Sequence, residues 1–416
     1  MQALKTDWKK VKVGELCRIK HGYAFKGKYF SDRGKYIVLT PGNFTELDGL
    51  KLKGDREKYY TDDFPKQYLL KSGQMLVVMT DLKQSAPYLG APGIVKVDDA
   101  LLHNQRLGLI TDVNDELIEG NFLYWIFQSH NYRSQVRGSA SGATVRHTSP
   151  ERIYDCVVEI PKDKNLQVKI ASILSAFDNL IENNTKRIKL LEKTAQLIYK
   201  EWFVNFRFPG HADINMTESG TEFGSIPVRW SAPVFTEKVD VMSGGTPQTS
   251  VPEYWDGQIP FFTPKDVDSA FYTLQTEKKI TQLGLAKCNS KLYSKNTIFI
   301  TARGTVGKCA LAPFEMAMNQ SCYALSATKS GISNLYLYLF VLGLVEGLKK
   351  QAIGGVFDTI TVATFEQLRL LLPDEEILTK FEATIQPVFD EILILQTFSI
   401  YLEQTRDFLL PHLINP

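Results

Sequence analysis

The sequence of 416 residues repeats itself, and that repetition limits the folds open to it more than any other feature. Trp8 and Trp230 each stand near the start of a block, and Ile19 through Gly22 matches Val241 through Gly244, both entering a glycine-containing turn. Thr40-Pro41 and Thr263-Pro264 each end an apolar run, Tyr36-Ile-Val-Leu39 in one case and Ile259-Pro-Phe-Phe262 in the other. Met75-Leu-Val-Val-Met79 before Thr80 matches Thr297-Ile-Phe-Ile300 before Thr301, and Asn104-Gln105 matches Asn319-Gln320. Asn121-Phe-Leu-Tyr-Trp125 pairs with Asn334-Leu-Tyr-Leu-Tyr338, Gly142 and Thr148 with Gly355 and Thr361, and Ile160-Pro161 with Leu372-Pro373. The offset drifts only from 222 to 212 along the chain, and the order never changes. A tandem duplication of this kind demands one fold built twice. The copies keep the framework positions and differ almost everywhere else, as expected of domains that share an architecture and present different surfaces.

Each copy reads as α+β. Short Val-, Ile- and Thr-rich strands are punctuated by Gly, Pro and Asn turns, with one helix expected near residues 119–137 and its counterpart near 333–351. From Leu166 the pattern becomes a heptad. Ile170, Phe177, Asn184, Leu191 and Ile198 are seven apart, interleaved with Leu174, Ile181, Ile188, Ala195 and Trp202. The second copy has Phe381, Val388, Leu395, Leu402 and Leu409, interleaved with Leu378, Ile385, Ile392, Ser399, Arg406 and Leu413. Alternating steps of four and three make a seam of period 3.5, which buries itself against a partner helix of similar length. The fold class is therefore two tandem homologous α+β domains, each followed by a long helix, the two helices pairing as an antiparallel coiled coil. The boundaries are 1–160 for the first domain, 161–222 for its helix and a linker, 223–373 for the second domain and 374–416 for the C-terminal helix. Pro387 is expected to kink the second helix. Asn184, Ser399 and Arg406 are polar at seam positions, where they either fix register or lie partly exposed against water or another subunit. Trp202-Phe-Val-Asn-Phe-Arg-Phe208 either packs on the neighbouring domain or offers a docking patch.

Charge is uneven beneath the overall +2. The first domain carries +4, the segment after it +1, the second domain +3 and the C-terminal helix −6. Two mildly basic domains permit phosphate contacts without the footprint of a protein that coats nucleic acid by charge. Cys17, Cys156, Cys288, Cys309 and Cys322 are scattered, with no C-x-x-C pair, and read as reduced thiols of a cytosolic protein. No signal peptide or membrane span is expected: the first residues lack an apolar core, and the longest apolar run, Leu335 to Val345, is too short. The expected location is cytoplasmic.

The patterns that carry catalysis are missing. Gly304-Thr-Val-Gly307-Lys308 lacks the spacing of a phosphate loop, and there is no H-E-x-x-H, G-x-S-x-G or G-x-G-x-x-G behind a strand. The Asp-Pro-Pro-Tyr or Asn-Pro-Pro-Phe type of motif that clamps a flipped adenine is absent, since the chain has no Pro-Pro. His21, His103, His130, His147, His211 and His412 are isolated from one another and from acidic clusters. The chain reads as a non-catalytic protein with no cofactor or metal of its own.

Domain, long helix, domain, long helix is a familiar order. With Gly224-Ser-Ile-Pro-Val-Arg-Trp230, Gln167-Val-Lys-Ile-Ala-Ser-Ile-Leu-Ser-Ala-Phe-Asp-Asn-Leu-Ile181 and Glu201-Trp-Phe-Val-Asn-Phe206, the whole chain closely resembles the specificity (S) subunits of type I restriction–modification systems. The resemblance implies two target recognition domains joined by conserved spacer helices. It also implies double-stranded DNA as ligand, with two methyltransferase (M) subunits and restriction (R) subunits as partners, S-adenosylmethionine residing on the methyltransferase. Two different heads imply a bipartite, asymmetric DNA site. A helix of 38 residues spans roughly 57 Å, more than the roughly 34 Å turn of B-DNA, so the spacer acts as a ruler.

In the first domain the expected DNA contacts are the loop from Arg133 to His147 (Arg133, Arg137, Ser139, Ser141, Thr144, Arg146, His147) with Lys83 and Gln84. In the second they are Lys349, Lys350, Gln351 and Thr359, with Arg303, Thr305 and Lys308, and Thr246, Gln248 and Thr249 in the glycine-rich turn. Lysine and arginine grip phosphates, while the short polar side chains and arginine suit base edges. Asn104-Gln105 and Asn319-Gln320, common to both copies, read as framework hydrogen-bonders in preference to base readers. Two other readings remain: a non-catalytic scaffold whose duplicated domains bind peptides or glycans, and a nuclease or methylase with a degenerate site.

Overall fold

The computed structural model describes residues 7–414 apart from 48, 268–269, 305, 329–330 and 352–358, and leaves the side chains of 55 and 348–351 undescribed. Two compact units emerge, Met1–Ile181 with Tyr401–Pro416, and Glu182–Ile400. Each contains one α+β domain and a portion of both long helices.

The duplication reappears as strand order, which the sequence pattern alone leaves open. In the first unit Arg18–His21, Leu107–Thr111, Met75–Val78 and Pro92–Ile94 lie side by side, all antiparallel. In the second unit Asp240–Ser243, Cys322–Ser326, Ile298–Thr301 and Cys309–Leu311 repeat that order and sense. A smaller sheet follows in each. Phe30–Ser31, Tyr59–Tyr60, Tyr36–Val38 and Leu101–Leu102 form the first, its last pair parallel. Lys278–Ile280, Trp255–Phe262 and Ala317–Met318 form the second, again ending in a parallel pair. Both domains close the same way: Trp8–Lys12 pairs with Val157–Pro161, and Ser231 bridges to Leu372 as Val234 does to Arg369.

The glycine turn shared by the copies has a steric cause. A Cβ on Gly22 would stand 2.1 Å from the carbonyl oxygen of Asn104, and one on Gly244 would stand 2.2 Å from that of Asn319. Only glycine lets the end of the first strand approach the asparagine turn so closely. The side-chain oxygen of Asn104 accepts from the Arg106 amide at 2.9 Å, and that of Asn319 from the Ser321 amide at 3.0 Å. These asparagines are framework groups, as their presence in both copies suggests.

One helix expected near 119–137 is two, Gly120–Gln128 and His130–Gly138. Ser129 between them is extended (ψ 143°), and its hydroxyl accepts from the Tyr132 amide, so it caps a new helix instead of continuing the old one. Leu342, the matching position of the second copy, has no oxygen to compete for the backbone, and Asn334–Gln351 runs as one helix.

The long helices are Lys164–Tyr199, extended by a π-helical turn at Lys200–Val204, and Glu375–Ile414. The second runs on through Pro387, and the residue whose carbonyl it leaves without a donor, Ala383, is exposed to water as Pro387 is. Every heptad position named above is buried or half-buried. In the second unit Asn184 Nδ2 donates to Ser399 Oγ at 3.2 Å, Arg187 pairs with Glu391 at 2.6 Å, and the Phe203 and Phe381 rings meet at 4.7 Å. Rising numbers on one helix meet falling numbers on the other, so the pair is antiparallel. In the first unit Arg406, 2% exposed, pairs with Asp178 at 2.6 Å, while Ile170, Ala171 and Leu174 share a core with Leu410 and Ile414. That pairing is antiparallel too. The polar seam residues are thus buried or half-buried, and each has a polar partner on the opposing helix.

The helices are also bonded into the domains. Gln167, fully buried, donates to Leu117 and Pro161 carbonyls and accepts from the Glu119 amide. In the second unit Glu192 accepts from the Phe271 amide at 2.8 Å. Asp374 there caps the second helix through the Ile377 amide and accepts from the Trp230 indole at 3.1 Å. The aromatic run after the first helix packs inward: Phe203, Phe206 and Phe208 all lie against Trp230, with Phe208 stacked at 5.1 Å.

Two stability predictions follow from these buried polar groups. Asp178→Ala removes the 2.6 Å carboxylate partner of a guanidinium that is 2% exposed, and is expected to cost about 1–3 kcal/mol in denaturant unfolding. Replacing the pair by Asp178→Leu with Arg406→Met is expected to restore most of that loss, which a double-mutant cycle reads directly. His103 is 1% exposed, and burial pushes its imidazole down from 6.5 to about 4 although Nε2 bonds to the Leu107 carbonyl at 2.9 Å. The folded state therefore holds it neutral. Its contribution is complete above about pH 6.5 and is lost as pH falls toward 4, on the order of 3 kcal/mol. Urea titrations across that window are expected to show the fall, and His103→Gln to flatten it.

Candidate nucleic-acid interface

In the first domain, two segments distant in sequence meet at one end of the larger sheet. Thr80-Asp81 pairs antiparallel with Arg146-His147, and Thr80 Oγ1 lies 3.1 Å from His147 Nδ1. The buried Asp81 carboxylate then organises the next turn, accepting from the Lys83 amide at 2.9 Å and the Tyr88 amide at 2.7 Å. Lys83 and Gln84 stand exposed on that turn, with the Lys83 ammonium 5.1 Å from the Tyr88 ring centroid. Beside them, Ser141 and His147 exchange both backbone hydrogen bonds at 2.9 Å and close a tight loop. Gly142, with φ +91°, allows the closure, since a Cβ there would lie 2.0 Å from the Val145 carbonyl oxygen. Ser139, Ser141, Thr144 and His147 are exposed on the loop. Arg146 is half-buried and braces it, donating to the Gly142 and Arg137 carbonyls at 3.3 and 3.2 Å.

Two expectations are corrected. Residues 133–138 belong to the helix His130–Gly138 and not to the loop. Arg133 is 3% exposed, and its guanidinium donates to the carbonyls of Leu89 and Glu46, each at 3.0 Å, and of Pro87. Burial pulls its pKa down to about 10, which still leaves it charged at neutral pH. A buried guanidinium that satisfies three carbonyls is a staple between segments and is unavailable to DNA. Arg137, half-buried, faces Glu46 at 3.7 Å.

The second domain repeats the framework with other side chains. Ile360 donates to the Ala302 carbonyl at 3.1 Å as Thr148 does to that of Met79 at 3.0 Å, which places exposed Thr359 beside the turn after Thr301. Arg303 and Lys308 are exposed on that turn, and Thr301 Oγ1 accepts from the Lys308 amide at 2.9 Å. Thr246, Gln248 and Thr249 lie on a separate segment. Thr246 is half-buried against Gln320, while Gln248 and Thr249 are exposed and the Gln248 carbonyl accepts from the Trp255 indole at 3.2 Å. Thr305 lies outside the described residues, as do the side chains of Lys349, Lys350 and Gln351. The segment of the first domain that matches Thr246–Thr249 was missed by residue type, yet the repeat offset leads straight to it. It runs from Ala24 into Gly27 and carries exposed Lys26, followed by Lys28.

Among the described residues no three His, Cys, Asp or Glu side chains gather as a metal site, and the five cysteines are unbridged. No helix among them is long and apolar enough to cross a membrane.

Two copies of one α+β fold on paired helices, with different polar and cationic loops on the same framework, define a tandemly duplicated two-domain protein. The chain belongs to the family described as the type I restriction modification DNA specificity domain, whose model matches residues 5–193 and 236–400. It is 25% identical over 302 residues to the type I restriction enzyme MjaIX specificity subunit of Methanocaldococcus jannaschii, covering 71% of this chain and 68% of that one. With the HindI specificity subunit of Haemophilus influenzae it shares 23% identity over 370 residues, 74% of this chain and 79% of the other. The crystal structure of the type I restriction–modification S subunit from M. genitalium has the same fold, with a TM-score of 0.60 at 15% identity and coverage of 99% of this chain and 97% of that one.

Arg133→Ala is expected to lower stability by about 2–4 kcal/mol by removing a buried guanidinium and orphaning one buried and two part-buried carbonyls, and Arg133→Lys to rescue little of it. Thr144→Ala, at the exposed loop, is expected to stay within about 0.5 kcal/mol of the parent. Paired thermal and urea unfolding curves check both.

Proposed function

We propose that the chain is the DNA-reading subunit of a type I restriction–modification complex, in which each domain reads one half of a bipartite, asymmetric double-stranded site. The observation that carries this reading is the repeated framework with unlike loops. Strand order and the glycine–asparagine turn recur, whereas Lys83, Gln84, Thr144 and His147 in one domain are replaced by Arg303, Lys308 and Thr359 in the other. A protein selected to present two specificities on one scaffold has this distribution of constancy and change. The long helices set the separation of the half-sites and dock two methyltransferase subunits and the restriction subunits. Adenine methylation, with S-adenosylmethionine, belongs to the methyltransferase. Net charges of +4 and +3 on the domains give weak duplex binding by the chain alone, and the methyltransferase subunits complete the grip.

Exchange of residues 1–160 for the corresponding domain of another family member tests the reading. In the assembled methyltransferase, modification is expected to change at one half-site and to persist at the other. A change at both half-sites, or at neither, would sink it.

A further inference from the structure

The small sheet of the first domain carries an aromatic layer distinct from the loops around Lys83 and Thr144. Its rings touch in succession: Tyr68 to Tyr23 at 5.2 Å, Tyr23 to Phe25 at 5.0 Å, Phe25 to Tyr60 at 4.8 Å and to Phe64 at 6.4 Å, Phe64 to Tyr36 at 5.1 Å, and Tyr60 to Tyr29 at 6.0 Å. Four exposed lysines stand on rings of this one layer. Lys20 lies 5.8 Å from the Tyr68 centroid, Lys28 4.6 Å from Tyr29, Lys35 4.9 Å from Tyr36 and Lys66 5.0 Å from Phe64. Residues 18–36 hold six lysines and arginines and a single acid, Asp32, which Lys58 engages at 2.6 Å. That is a net +5 within a chain of net +2. Exposed Asp62 and Asp63 are the acids beside Lys66.

The second domain repeats the device with other residues at the same place in the fold. Lys278, exposed on its small sheet, lies 5.1 Å from the centroid of the Trp255 ring. Trp255 in turn bonds the segment that carries Gln248 and Thr249. Glu253 and Asp256 flank Trp255 in sequence and Glu277 immediately precedes Lys278, so the second copy is electrostatically weaker.

We infer that the lysine-fringed aromatic layer on the small sheet is a binding surface for the phosphodiester backbone of duplex DNA, dominant in the first domain and vestigial in the second. The inference deepens the DNA-reading function proposed above and rests on it. A ring face beneath an ammonium holds the flexible lysine stem in place while its N–H groups stay in water, so the charge is set out for an anion at little further cost in entropy. The contact is with phosphate and carries no sequence information. It would orient the domain so that the loops around Lys83 and Thr144 face base edges.

The test is titration of a mixed-sequence duplex of about 40 base pairs with the full-length chain, followed by anisotropy from about 50 to 200 mM salt. Parent protein is expected to show a log–log salt slope, and Lys20→Ala/Lys28→Ala/Lys35→Ala/Lys66→Ala to reduce its magnitude by about 2 to 4 with an unchanged unfolding midpoint. Lys278→Ala is expected to reduce it by about 1 or less. Replacement of the four by arginine is expected to keep the slope. If the quadruple alanine variant does not fold, Lys28→Glu/Lys35→Glu gives the same readout through charge reversal. A folded variant with the parent's slope overturns this surface and leaves the DNA-reading function standing. Parent protein without salt-dependent binding, both alone and with its methyltransferase subunits, overturns both.

Discussion

The apolar seam of the long helices, and its need for cover, underlies the rest of the structure. A stripe of period 3.5 is too narrow to make a domain of its own and too apolar to face water. In each unit it is covered twice over, by the opposing helix and by the α+β domain, so that helix residues such as Ile188, Phe381 and Ile385 sit in the same core as Trp230, Tyr336 and Phe365. In the other unit Leu174, Leu410 and Ile414 share a core with Phe122, Trp125 and Ile153. The polar exceptions are matched in kind: Asn184 meets Ser399, and Arg406 meets Asp178. A shift of one heptad would break such a pair and bury an unsatisfied group, a penalty that favours one register.

Upon that base the two domains divide their residues between constancy and difference. What recurs is backbone geometry with no tolerance, such as the approach of Gly22 to Asn104 and of Gly244 to Asn319. What differs is carried on turns whose shape is fixed from inside, by the Asp81 carboxylate in one domain and by the Thr301 hydroxyl in the other. Buried polar groups hold the backbone of these turns while the outward side chains are free to vary. Fixed turns of this sort suit recognition, because little order remains to be imposed on binding.

Charge follows the same division. The long C-terminal helix carries the chain's acidity and the domains its basicity. Within the first domain the basic groups are further sorted. Arg133 is consumed by interior carbonyls and Arg146 by its own loop, whereas Lys83 and the lysines of the small sheet rest on aromatic rings with their ammonium groups in water. Residue type gives no hint of that sorting, since an arginine reads as a phosphate ligand wherever it stands.

The duplication, the helical seam and the family were legible in the sequence because each rests on periodic or repeated positions, and local spacing survives without knowledge of the fold. The framework role of Asn104 and Asn319 was legible for the same reason, since groups common to unlike domains serve what the domains share. Strand order was beyond reach: the parallel pairing of Ile37-Val38 with Leu101-Leu102 joins segments more than sixty residues apart with nothing local to announce it. The break at Ser129 and the burial of Arg133 were also decided by tertiary contacts. A serine caps a helix only where the backbone turns to meet it, and an arginine becomes a staple only where three carbonyls converge on it. Pattern in the chain determined which surfaces must be hidden; the packed structure alone decided which polar groups were left outside to bind.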